Sequence, residues 1–398
     1  MDINLNSQQR FEEFPITRTK VFLAHAAICP FPQRVCHAIS DYCQKNANFG
    51  QWEYLWSHTE NETRTYAAKL VGGSSDEIAF ISSTSMGLSL IAGGLSWHQG
   101  DNVVVANGDF PANIYPWLNL NRLGVKTKLI PRRANGSVTV ADITQTIDKN
   151  TRLVSLSSVN FVTGFRLDLD TIGSFLQKRG ILFCVDAIQS LGALPFSSEY
   201  VDFAVASSHK WLMGPIGIGI LFVKKKHFTT LNPVLIGWKS VNDNHNYLNY
   251  HPDLSDTAKR YEPGTLNGIG IVGLHAALAM LLEIGIDNIA AHLGTLRNQL
   301  ITGLKSLEFE VLSPSDNNSS GIISFTSNSV DISKLRKFLD LNNFIVSIRD
   351  TLDGRNCIRV SPHFYNTGAE IESLINSIDS YINTNRNLDY SKSIKNTY

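Results

Sequence analysis

The sequence predicts an α/β fold, with a mainly parallel, doubly wound sheet in a large unit and a smaller α+β unit after it. Three observations carry that expectation. Short apolar runs of strand length alternate with segments of helical periodicity between residues 76 and 185, as βαβ units do. A second alternation of helices and short strands begins near residue 285. A chain of 398 residues can also bury two cores rather than one.

Taken in order, residues 1–20 are polar with scattered aromatics and read as an arm lying on the fold. Residues 21–30 form a short strand entering a loop, and residues 33–47 and 59–71 carry helical periodicity. A strand over 76–81 runs into Ser82-Ser83-Thr84-Ser85-Met86-Gly87 and then an apolar helix. Hydroxyls and unpaired amides at a helix start serve either as an N-cap or as an anion site. The strand over 101–106 ends in Gly108-Asp109-Phe110-Pro111-Ala112-Asn113. The pattern then repeats over 127–131, 140–147, 153–157, 167–178 and 181–185. Such crossovers put helices on both faces of a parallel sheet, whose ligand lies at the carboxyl ends of the strands. Asp186 stands at one of those ends, where it either meets a cation or caps the next helix.

Residues 224–259 change character, with the solvated run Lys224-Lys225-Lys226 and then many Asn, His and Tyr. A glycine-studded helix over 271–284 leads into the smaller unit. There, helices near 285–306 and 332–342 alternate with strands near 309–312, 321–326 and 344–349. Beyond Ile382 the polar sequence reads as a fraying tail. The expected division is an arm (1–20), a large domain (21–270), a small domain (271–385) and a flexible tail (386–398).

Charge and composition narrow the function classes. Lys+Arg and Asp+Glu both count 35, so no bulk charge draws the chain to nucleic acid or an anionic membrane. No apolar run approaches the roughly 20 residues that span a bilayer, and the N-terminus lacks a signal-peptide pattern. A cytoplasmic location is expected. Cys29, Cys36, Cys43, Cys184 and Cys357 show no CxxC or His/Cys ligand spacing, so no metal site is expected. They read as small buried hydrophobes in a reducing compartment.

The most informative stretch is an apolar run from Ala204 that ends in Ser207-Ser208-His209-Lys210-Trp211. Gly214-Pro215-Ile216-Gly217-Ile218-Gly219 and a second apolar run to Val223 follow. A lysine among hydrophobic residues is costly to bury as a cation. It either caps a strand end at the surface or forms a Schiff base with a carbonyl cofactor, which removes the charge. Ser207, Ser208 and His209 supply phosphate donors beside it, and the glycine turn admits close approach of backbone to a ligand.

This segment resembles the lysine segment of class V aminotransferases. These are fold-type I pyridoxal-phosphate (PLP) enzymes and include cysteine desulfurases, selenocysteine lyases, kynureninases and isopenicillin N epimerases. The resemblance runs from about Phe22 to Thr367. It implies that Lys210 forms the Schiff base with PLP, that Asp186 holds the pyridine nitrogen proton and that Gln189 bonds the phenolic oxygen. It places Thr84, Ser85, Ser207 and His209 on the phosphate, with Ser83 less well matched, and leaves Asn160 one residue out of register. Phe110 falls where cysteine desulfurases carry a ring-stacking histidine; phenylalanine can stack but cannot transfer protons. Thr265, within Arg260-Tyr261-Glu262-Pro263-Gly264-Thr265-Leu266-Asn267, is implied to reach the phosphate of a neighbouring subunit, which implies a homodimer. Arg359, within Ile358-Arg359-Val360-Ser361-Pro362-His363-Phe364-Tyr365-Asn366-Thr367, is implied to bind the substrate carboxylate. His25 either faces the substrate or is structural.

One family feature is missing. Cysteine desulfurases carry a loop cysteine well upstream of the carboxylate-binding arginine. Here the only cysteine of that interval is Cys357, two residues before Arg359. A persulfide-forming desulfurase is therefore disfavoured. The implied function is a PLP enzyme acting on a small amino acid through an α-carbanion, of aminotransferase or C–S lyase type. The alternatives are an epimerase, a desulfurase-like protein without the loop cysteine, or a non-catalytic PLP-binding regulatory protein. No G-x-G-x-x-G follows an early strand, which disfavours a nicotinamide dehydrogenase.

Overall fold

The apolar runs assemble into three sheets in a computed structural model that describes residues 6–51, 57–131, 133–248, 250–314, 317–351 and 353–395. After a short first strand, β1 (Val21–Phe22), seven strands build the largest sheet. They are β2 (Ile78–Ile81), β3 (Asn102–Ala106), β4 (Lys126–Ile130), β5 (Thr151–Ser157), β6 (Leu182–Asp186), β7 (Phe203–Ser207) and β8 (Gly219–Val223). Their spatial order is β2-β8-β7-β6-β5-β3-β4. Neighbours from β4 to β7 run parallel, whereas β8 is antiparallel to both β7 and β2. Every residue of β2, β7 and β8 is buried, the pattern of strands covered on both faces. The order reverses between β3 and β5, so the ligand crevice of such a sheet opens at their carboxyl ends.

The C-terminal strands are β9 (Glu310–Val311), β10 (Ile323–Thr326), β11 (Phe344–Ile345), β12 (Ser347–Asp350) and β13 (Asn356–Val360). Four of them form an antiparallel sheet in the order β12-β13-β10-β9, and β11 pairs in parallel with β1. Leu23 packs into the C-terminal core cluster, and the Leu23 amide donates to the Ile345 carbonyl (2.9 Å). Residues 21–26 thus run along the C-terminal unit before the chain enters the large sheet.

The arm begins with a helix, Ser7–Glu13, capped by Asn6 through a reciprocal capping box with Gln9. Arg10 donates to the Tyr365 carbonyl (2.7 Å) and pairs with Glu370, and Phe14 stacks on Tyr365 at 4.0 Å. At the other end, the last helix runs Gly368–Lys395. The segment expected as a tail is therefore helical to Lys395, and residues 396–398 lie outside the described residues. Two cysteines also depart from expectation. On the helix Gln33–Phe49, Cys43 is exposed and Cys36 half-buried, because only one stripe of that helix meets the core. Among the described residues no single helix is long and apolar enough to cross a membrane.

An aromatic cluster joins arm, lysine loop and C-terminal strand. His25 and His363 are fully buried with ring centroids 5.3 Å apart. His25 Nδ1 bonds the Ser361 carbonyl (3.0 Å) and Nε2 the Tyr365 hydroxyl (2.9 Å), while His363 Nε2 bonds the Trp211 carbonyl (3.0 Å). Burial pushes both imidazoles below the usual value of 6.5, His363 to about 4. The unfolded chain therefore takes up these protons first. This stability is whole above pH 6.5 and is lost as pH falls toward 4. For His363 the loss reaches about 3 kcal/mol. Urea midpoints measured from pH 7.5 down to pH 4.5 should fall steeply, and less steeply in His363→Gln.

Candidate active site

The strand ends of the large sheet converge on Lys210. The loop that carries it reverses the chain between β7 and β8, and Met213 within it adopts φ 56°. A left-handed methionine costs about 1–2 kcal/mol; the surrounding bonds hold it there. The Met213 amide donates to the Lys210 carbonyl (3.1 Å), the Gly214 amide to the Ser208 carbonyl (2.9 Å), and the Met213 side chain is buried in the core. Gly192 presses on the same loop, where a Cβ would lie 2.3 Å from the Trp211 carbonyl oxygen. The lysine backbone is thus clamped from two sides.

Lys210 is 9% exposed, and its Nζ lies 5.4 Å from the centroid of the Phe110 ring. Burial pushes its proton affinity down, and the Arg359 and Arg349 cations push the same way against Asp186. A larger neutral fraction results, which a nucleophilic amine requires. Asp186, at the end of β6, is 1% exposed, and its Oδ1 accepts the Ile188 amide (3.0 Å). Burial, then the neighbouring Asp109, push its proton affinity up. Such a carboxylate favours a protonated ring nitrogen beside it. Phe110 is 43% exposed and meets Phe161 edge-on at 5.4 Å.

Arg359 on β13 is 1% exposed. Its Nη1 donates to the Phe161 carbonyl (2.6 Å), while Nε and Nη2 are buried without a partner among the described residues. These two groups form one edge of the guanidinium, the edge that grips a carboxylate bidentately. Burial and the charge of Arg349 both push its proton affinity down. The guanidinium stays charged, so this is a buried cation short of an anion. Arg349, on β12, pairs in register with Cys357, whose neighbour two residues on is Arg359. The two arginines therefore share one face of the small sheet.

The helix start Thr84–Gly94 is partly spoken for. The Thr84 amide donates to Ser207 Oγ (2.7 Å), the Ser207 amide to Thr84 Oγ1 (3.0 Å), and the two hydroxyls lie 3.0 Å apart. One of their two protons is used between them, so the pair offers one O–H outward rather than two. Ser83 is the N-cap, accepting the Met86 amide, while Ser85 is exposed in the first turn. His209 is half-buried, with its proton affinity lowered by burial and by Lys210. Gln189 accepts from Trp211 Nε1 (2.8 Å) and donates to the Ala26 carbonyl (3.1 Å), which leaves one amide hydrogen.

One expected residue stands elsewhere. Both nitrogens of His25 are engaged inside the protein, so its ring has a structural role and is not turned to a substrate. Thr265 is exposed on a loop anchored upstream by a buried bidentate pair, Arg64 to Glu262 (2.8 and 2.7 Å). Asn160 spends its carbonyl oxygen on the Val162 and Thr163 amides and shapes the loop after β5. Sequence reasoning missed Asp109, although a second acid at a strand end just before Phe110 was the available signal. It also missed Arg349, a lone arginine in a short strand.

The donor set fits PLP: a buried lysine, an acid with raised proton affinity, a partly open helix start and a guanidinium edge unsatisfied among the described residues. The sequence model of the family described as aminotransferase class-V matches residues 21–374. The chain belongs to the class V aminotransferase family. This class V member is 31% identical over 387 residues to a probable cysteine desulfurase of Methanothermobacter thermautotrophicus, covering 91% of this chain and 94% of that protein. It is similar to the apo structure of a cysteine desulfurase from Thermococcus onnurineus (25% identity, TM-score 0.87, 96% of this chain and 100% of that one). A lysine-to-alanine mutant with glycine covalently linked to its PLP cofactor has the same fold (22% identity, TM-score 0.83, 92% and 98%). The class V fold here is the α/β fold of these PLP enzymes, and PLP is the cofactor of the family.

Proposed function

We propose that this chain is a PLP-dependent lyase of the C–S lyase type, acting on an α-amino acid of the cysteine class. The observation that carries this reading is Arg359, a buried cation close enough to act on Lys210, whose Nε–Nη2 edge has no partner among the described residues and suits an α-carboxylate. PLP, when bound, accepts into its ring the electron pair released at the substrate α-carbon. Lys210 Nζ holds the cofactor at rest and moves the α-proton. With PLP bound, Asp186 would keep the ring nitrogen protonated, Phe110 would pack on the ring, and the free amide hydrogen of Gln189 would be available to the phenolic oxygen. Ser85, His209 and the single outward hydroxyl of the Thr84–Ser207 pair hold the phosphate.

The cysteine class is supported by the 31% identical relative. Elimination rather than persulfide transfer is supported by Cys357, which is fully buried with its thiol pushed up to about 11. The PLP-loaded protein should convert cysteine or cystine to pyruvate and ammonia with release of sulfide or persulfide in matching amounts. Alanine with persulfide on the protein would mean desulfuration. A 2-oxo acid formed with pyridoxamine phosphate and no sulfur release would mean transamination.

We also infer a homodimer. Val234, Leu235, Ile236 and Trp238 expose apolar surface beside the loop bearing Thr265. A Cβ at Gly237 would lie 2.0 Å from the Pro263 carbonyl oxygen, so the two segments are in close contact. In this arrangement Thr265 serves the neighbouring subunit's phosphate. A reducing, cytoplasmic setting fits the five free thiols.

A further inference from the structure

The hydrogen bonds around Asp109 favour its anionic form, against burial, which pushes its proton affinity up. Its Oδ1 accepts the Phe110 amide (2.7 Å) and the Ser157 hydroxyl (2.6 Å). Its Oδ2 accepts Asn113 Nδ2 (2.9 Å) and the Ser157 amide (3.1 Å). The orientation of Asn113 is fixed, because its Oδ1 accepts from Trp117 Nε1, a group that can only donate. Ser155 Oγ donates to the same oxygen. Four donors thus meet four acceptor positions, and three of them, the Phe110 and Ser157 amides and Asn113 Nδ2, can only donate, which favours the ionised form. The carboxylate is 9% exposed, and no cation pairs with it among the described residues.

Its place makes that charge consequential. Ser157, which gives Asp109 two of its bonds, is the register partner of Asp186 on the adjacent strand. Asp109 also fixes the amide of Phe110, the residue whose ring lies against Lys210. The groups acting on Asp186 are Asp109 from the loop after β3 and Lys210 from the loop after β7. Cys184 lies on the same strand as Asp186, and Arg359 and Arg349 act on Lys210 from the small sheet.

We infer that Asp109 is a positioning residue, a fixed second anion that keeps the proton on the Asp186–pyridine nitrogen pair and sets the Phe110 ring over the cofactor. The inference rests on the PLP reading above. A negative charge beside the pair raises the pH at which the ring nitrogen loses its proton, because it favours the cationic ring over the neutral one. Both Asp109 oxygens are engaged by Phe110, Asn113 and Ser157, so it acts through Asp186 and Phe110.

The test follows the nitrogen chemical shift of ¹⁵N-labelled PLP in the holoenzyme as a function of pH. In Asp109→Asn the midpoint for ring deprotonation should fall by about one unit or more, while Asp109→Glu, which keeps the charge, stays near the parent. An unchanged midpoint in folded Asp109→Asn overturns the inference. If that variant does not fold, Ser157→Ala is read instead. It removes one donor and so lowers the ionised fraction of Asp109, which should give a smaller shift in the same direction. An unchanged midpoint there overturns the inference equally. Failure of the PLP reading is distinguishable, because the parent protein would then bind no labelled cofactor.

Discussion

Lys210→Ala should lower turnover by about 10³-fold or more, the combined loss of a covalent anchor and a positioned acid–base group. The same variant should lose its visible cofactor absorbance on dialysis while its far-UV circular dichroism stays unchanged. The fold should tolerate the change because the loop is held by its backbone, through bonds to Met213, Gly214 and Cys29, and by the close approach of Gly192. The deleted amine is attracted by Asp186 but repelled by Arg359 and Arg349, and its Nζ makes no hydrogen bond among the described residues. Retained visible absorbance after dialysis would place the cofactor on another group.

Arg359→Leu should split function from stability. Two charge-assisted bonds to a carboxylate are worth about 1.5–3 kcal/mol each. Their loss should therefore lower kcat/KM by about 10²- to 10⁴-fold, mainly through KM if the grip is equal in ground and transition states. The ligand-free protein should become more stable by about 1–4 kcal/mol, because a buried cation with two unpartnered nitrogens is replaced by a hydrocarbon. The denaturant midpoint measured without ligand checks the second arm. A lower midpoint would show that the bond to the Phe161 carbonyl matters more than the stranded charge.

Much of this site was legible in the sequence because its main groups sit at the ends of apolar runs. Asp186 and Lys210 each interrupt a strand pattern at its carboxyl end, where a parallel sheet presents its ligand. What was not legible depends on residues far apart in the chain. The pairing of Thr84 with Ser207 spans 123 positions and reduces the donors that either offers alone. The engagement of His25 by Ser361 spans 336 positions, and without that partner an isolated histidine reads equally as catalytic or structural. The charge of Asp109 matters only because β3 lies beside β5, out of sequence order, which local periodicity cannot reveal. Cys43 was misplaced for a simpler reason: the usual burial of cysteine does not say which face of its helix meets the core.

The bonds that flank Lys210 also bear on how the protein is made. The His209 carbonyl is held by the Cys29 amide, and the Trp211 carbonyl by His363, so both ends of the chain grip the peptides around one lysine. During synthesis, the segment that carries Lys210 leaves the ribosome about 150 residues before its last partner does. Closure of the cofactor pocket is thus a late event in biogenesis, dominated by contacts of long sequence separation. A chain released early would carry a nearly complete large sheet and an unfinished place for its cofactor.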